Sequence, residues 1–179
     1  MLFLRSCGLL AVLALCLSVR PAPTEEKKAP PLVTRDRVQL NLAGAEMIVA
    51  DAKKKAEGMK LKVNIAVVDD GGHLLAFARM DGARRASGYT AITKAVTAAT
   101  FRQETGPLPP KGEPDLLLNL SLQNAAAASG GKLTTLKGGV PVVVDGQVIG
   151  AVGVGGGTGE QDAEVARAGI QKLLDALKK

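Results

Sequence analysis

The sequence has one histidine, two cysteines, no tryptophan, and only three phenylalanines and one tyrosine among its 179 residues. Both cysteines, Cys7 and Cys16, lie in the apolar run Cys7–Val19 behind Arg5. That run is shorter than a bilayer span and has the charge placement of a secretory signal peptide. Once it is removed, no thiol is left for a disulfide, a thiolate metal site or a nucleophile. A single histidine also argues against a closed zinc site within one subunit. The remaining aromatics, Phe77, Tyr89 and Phe101, are too few for the stacking platforms that grip single-stranded nucleic acid. The formal charge of +6 therefore reads as solubility or attraction to anionic surfaces, and nucleic acid is not an expected partner. No Ser, His and Asp fall in a nucleophile-elbow pattern, and neither Ser87 nor Ser129 has a motif around it.

What is present divides the chain in three. Residues 1–18 are read as the signal peptide, with Cys16 and Ser18 as the small residues before the cleavage point. Acylation of Cys16, against which the bulky Leu15 argues, and an uncleaved anchor are the alternatives. Residues 19–33 hold four prolines and clustered charge, which predicts a disordered linker. Residues 34–179 form the folded domain, expected to be secreted or periplasmic and not inserted in a membrane after cleavage.

Periodicity orders the domain. Thr34 is placed as the cap of a first helix with Val38, Leu42, Ala45, Val49, Ala52 and Ala56 on its apolar face, stopped by Gly58. Lys62–Val68 alternates as a strand, Asp69-Asp70-Gly71-Gly72 supplies a hairpin turn, and His73–Arg79 returns. On that return a period of two puts His73, Leu75, Phe77 and Arg79 on one face. Ser87 is read as the cap of a helix to about Phe101, Gly106–Pro114 as a loop, and Leu116–Ala128 as a short helix. Strands are predicted over Leu133–Leu136, Val140–Val144 and Gln147–Val154, the last two joined by an Asp145-Gly146 type I′ turn. Thr158-Gly159-Glu160-Gln161 is a capping box opening a final helix. The order describes an α+β fold, an antiparallel sheet of about five strands with helices packed on it.

Within this frame His73 is the candidate for chemistry, because a neutral imidazole ligates a metal or moves a proton near neutral pH. A histidine that only bonds its own turn is the plainer reading. Asp69 and Asp70 could be an acid/base pair, or a hard-metal site with Asp81, although aspartate is common in turns for its backbone hydrogen bonds. Arg79 could hold a carboxylate or pair with Asp81. The run Gly150–Gly159 lacks the G-x-G-x-x-G spacing, and Glu160 and Asp162 in the following turn would repel an anion, so it reads as close helix-on-sheet packing.

Three segments, AVVDDGGHLLAFARMDGA (Ala66–Ala83), KAVTAATF (Lys94–Phe101) and GGVPVVVDGQVIGAVGVGGGTGEQD (Gly138–Asp162), resemble the GlcG/HbpS haem-binding family, which is similar to the C-terminal domain of PduO. The resemblance runs from about Thr34 to the C-terminus. It implies a profilin-like single domain, homo-oligomers, and haem as cofactor in an exported accessory or sensory protein. His73 falls in the matching GGH segment and is carried over as the iron ligand, with Leu75 and Phe77 as apolar contacts and Arg79 as a partner for a propionate. Two other readings stay open: an enzyme acting on a small carboxylate or carbonyl compound by proton transfer, and a non-catalytic oligomeric interaction module.

Overall fold

A computed structural model describes residues 37–178; the expected signal peptide, the linker and Thr34 lie outside the described residues. Helix α1 (Leu42–Gly58) begins later than expected, because Asn41 caps it. Its side-chain oxygen accepts from the Gly44 amide at 2.8 Å, and asparagine is among the best residues for this position. The chain leaves α1 through Lys60, which takes the left-handed conformation (φ 57°) in place of Gly58. Strands β1 (Asn64–Asp69) and β2 (Leu74–Arg79) follow, then α2 (Ser87–Phe101), α3 (Leu116–Ala128), β3 (Gly139–Val144), β4 (Gln147–Gly155) and α4 (Gly159–Leu177). Ser87 is not a cap: its hydroxyl accepts from Arg84 Nε at 2.8 Å, and α2 starts without a capping side chain.

The four strands form one antiparallel sheet in the order β2-β1-β4-β3. The strand expected over Leu133–Leu136 is absent. Threonine side chains satisfy that backbone instead: the Thr134 amide donates to Thr97 Oγ1 (3.0 Å), the Leu136 amide to Thr134 Oγ1 (3.1 Å), and the Leu136 carbonyl accepts from Thr105 Oγ1 (2.7 Å). The β3–β4 turn is as expected, with Asp145 (φ 49°) and Gly146 (φ 72°) both at positive φ. Pro141 stands in β3, an outer strand of the sheet.

Each face of the sheet is covered. Ile65, Val67, Val152 and Val154 pack with Ile48 and Ala52 of α1 and Val165 and Ile170 of α4. Ala66, Val68 and Ala151 pack with Ala91, Ala95, Ala98 and Ala99 of α2. Here glycine is required by close approach: a Cβ at Gly153 would lie 2.0 Å from the Ala91 carbonyl oxygen, and one at Gly139 2.3 Å from that of Lys94. The glycine-rich run is thus a seat for α2, as expected. At its end the Thr158–Gln161 capping box is formed, and Asp162 Oδ1 accepts from the Gly157 amide at 2.9 Å. The entry of α4 is filled by the protein's own side chains.

Ion pairs tie α4 to its surroundings, among them Lys55 of α1 with Glu164 (2.6 Å). Lys94 of α2 donates to Asp162 Oδ2 of α4 (2.7 Å) and to the Val154 carbonyl (2.8 Å), with both charged groups buried. Arg167 of α4 grips Glu104 in a two-pronged pair (3.0 and 2.6 Å), and these hydrogen bonds raise the arginine pKa above its ordinary value.

Candidate functional site

His73 stands at the end of the β1–β2 turn, one residue before β2. The turn is held by Asp69, whose Oδ1 accepts from the amides of Gly71 (2.9 Å) and His73 (2.8 Å), while Gly72 takes φ 84°. The same oxygen lies 3.3 Å from His73 Nδ1. A carboxylate only accepts, so this contact is a hydrogen bond when Nδ1 carries the proton, which leaves the lone pair on Nε2. The imidazole is otherwise open, with its side chain 84% exposed. A carboxylate behind an imidazole is the arrangement that fixes the tautomer and raises the basicity of metal-ligating histidines. Asp70 is engaged elsewhere, in an ion pair with Arg37. Asp69 and Asp70 therefore do not act as a carboxylate pair, and Asp81 lies beyond the far end of β2, away from both.

The expectation that His73, Leu75, Phe77 and Arg79 share a face is corrected by a β-bulge. Val67 pairs with Ala76 and Val68 with Leu74, so Leu75 is an extra residue and the alternation slips by one. Leu75 and Ala76 both turn toward the α1 side, where they pack on the core. Phe77 pairs with Ala66, an α2-side residue. Its ring tip would lie 3.4 Å from a methyl group on Gly88 of α2.

Between α1 and β2 runs a groove. One part, about 370 Å³, is lined by Leu42, Glu46, Val49, Ala50 and Lys53 of α1 and by Leu75, Ala76 and Phe77. A second part, about 340 Å³, is lined by Lys53, Glu57, Lys62 and the segment from Ala78 through Arg79 to Asp81. Lys53 borders both. Apolar residues line most of the first part, with Glu46 and Lys53 adding opposite charges, and the second part is charged. Of the four expected contact residues, Leu75, Phe77 and Arg79 line this groove. His73 lines neither part and stands two residues before Leu75. His73 and Arg79 are six residues apart on extended chain, roughly 20 Å, so the imidazole and the guanidinium do not converge on one small substrate.

Reading the sequence missed Lys53, which the helical period places on the groove side of α1. It also missed the Lys94–Asp162 pair, whose partners are 68 residues apart. No local pattern announces either partner of that pair. Among the described residues no helix is long and apolar enough to cross a membrane.

An antiparallel sheet flanked by helices, with a histidine-bearing hairpin beside a groove, defines an α+β domain with a candidate ligand site. The chain belongs to the HbpS-like family, whose model, described as haem-degrading protein HbpS-like, matches residues 40–171. Protein GlcG of Escherichia coli K12 is 46% identical over 120 residues, 67% of this chain and 84% of GlcG. The crystal structure of Klebsiella pneumoniae ORFY superimposes with a TM-score of 0.67 at 30% identity, covering 81% of this chain and 98% of ORFY. The fold also matches that of a PduOC:heme complex (TM-score 0.61, 24% identity, 75% of this chain and 95% of the other). The α+β domain and the family expected from the sequence are both as found; the sheet has four strands where about five were expected.

Proposed function

We propose that this protein is an exported haem-binding accessory or sensory protein, in which His73 Nε2 ligates the iron and the α1–β2 groove receives the porphyrin edge. The observation that carries the reading is the exposed imidazole with Asp69 on Nδ1. The residues present fit the group. Leu75 offers apolar contact and Lys53 a cation for a propionate, while Phe77 and Arg79 border the groove from strand positions whose side chains take the α2 side. Haem would supply a redox-active iron; the protein's part is to fix the tautomer of the ligand, anchor the carboxylates and cover the ring. The family description and the haem-bound structural neighbour support the same ligand. Export is supported by the apolar run behind Arg5.

Hemin titrated into the purified protein should give a shifted Soret band, and His73→Ala should abolish the shift. Asp69→Asn should keep binding but weaken it about tenfold, through the loss of the orienting carboxylate. An unshifted spectrum in the parent protein, or an unchanged one in His73→Ala, overturns the assignment of the ligand.

A further inference from the structure

The first turn of α2 gathers arginines around a buried amide. Asn64, at the start of β1, is fully buried, and its Nδ2 donates to the carbonyls of Arg84 (3.0 Å) and Gly155 (3.4 Å). Two carbonyls on that side fix which end of the amide is nitrogen, so Oδ1 faces the other way. Oδ1 is buried and meets no donor among the described residues, whereas a buried acceptor is ordinarily paired. It is aimed at the first turn of α2: a Cβ on Gly88 would lie 3.6 Å from it and 3.4 Å from Phe77 Cζ. Arg84 Nε donates to Ser87 Oγ at 2.8 Å, which holds the guanidinium against the helix and leaves the hydrogen of that buried hydroxyl to donate. Arg85 stands just before the helix, its carbonyl accepting from the Gly88 amide at 3.1 Å. Arg79 pairs with Asn64 across the strands, so its side chain leaves the sheet on the same face. None of the three arginines forms an ion pair with a described residue. Asn41, Asp115 and Thr158 cap α1, α3 and α4, but α2 has neither a capping side chain nor an acidic residue in its first turn. Asp81, the acidic residue of the connecting loop, borders the α1-side groove instead.

We infer that this corner binds the hydrogen phosphate anion, with its charged oxygens on the arginines and its O–H on Asn64 Oδ1. The guanidiniums and the positive pole of α2 select an oxyanion. The amide oxygen then selects among oxyanions. It only accepts, so it repels a bare sulfate or carboxylate and takes a hydrogen bond from an oxyanion that keeps a hydrogen. Phosphate keeps one at neutral pH and sulfate keeps none. A phosphate monoester has largely lost it, so the free anion fits better than a phosphorylated metabolite or a lipid headgroup. What faces Oδ1 is a residue without a side chain and the edge of a ring that is 42% exposed. Rotation of Phe77, which stands on an outer strand of the sheet, is the motion that admits the anion.

This site does not rest on haem being the ligand of the groove. Calorimetric titration of the purified protein with inorganic phosphate, at neutral pH and fixed ionic strength, should show saturable binding. Sulfate should bind about tenfold more weakly, because it leaves the amide oxygen unpaired. Methyl phosphate should also bind more weakly, which separates the free anion from an ester. Arg84→Gln should weaken phosphate roughly tenfold through the loss of a charged donor. Gly88→Ala is the sharper probe. Its methyl group makes only ordinary contacts and alanine suits a helix, so the thermal midpoint should not fall. The same methyl stands before Oδ1 and should weaken phosphate about fivefold. No saturable binding by the parent protein, sulfate or methyl phosphate equal to phosphate, or either variant with the parent's affinity overturns the proposal.

Discussion

α2 and α3 are of similar length and both rich in apolar residues, yet eight residues of α2 are buried and only one of α3. The difference lies in the surface opposite. α2 faces strand glycines that let its backbone approach β3 and β4, so Ala91, Ala95, Ala98 and Ala99 are sealed although each is small. α3 faces a loop and meets it through one stripe. The ends of the two helices differ in the same sense. α2 begins at Ala86 without a capping side chain, whereas Asp115 caps α3 by accepting from the Leu118 amide at 3.0 Å. Packing holds the first helix; local hydrogen bonds hold the second. Apolar composition therefore does not by itself decide what is buried.

The contrast breaks most completely at Gly153. Gly153→Val has to push α2 off the sheet, and a loss of about 4–5 kcal/mol in denaturant unfolding is expected. Next comes Lys94→Ala, which strands the Asp162 carboxylate in the interior. It should cost about 3 kcal/mol, while Lys94→Met with Asp162→Leu should recover much of that. The smallest effect falls on the exposed helix: Asp115→Ala should lose about 1 kcal/mol. Its signature in hydrogen exchange should be confined to α3 and leave the protection of α2 untouched.

Features specified by neighbouring residues were legible in the sequence. The Thr158–Gln161 capping box and the Asp145-Gly146 turn depend on contacts within a few positions, and the extents of α2 and α3 follow the pattern of their own residues. The beginning of α1 was misplaced because Thr34 and Asn41 are both good caps, and the periodic residue Val38 lies between them. The false strand at Leu133–Leu136 has β-forming residues, but its hydrogen bonds go to Thr97 and Thr105, which no local pattern reveals. At the candidate site, the hairpin and His73 were found where expected. The slip at Leu75 was not, since the bulge carries no glycine or proline to mark it, and one inserted residue is enough to turn Leu75 away from Phe77 and Arg79.

That extra residue has a counterpart on the opposite border of the sheet. Along β2 the irregular spacing at Leu75 spoils the ladder that an incoming strand would need, and along β3 the ring of Pro141 withholds a donor. Neither margin is a template for growth into a continuous ribbon. A neighbour that joins this molecule must come in over its helices, so crowding should not extend the sheet into fibres.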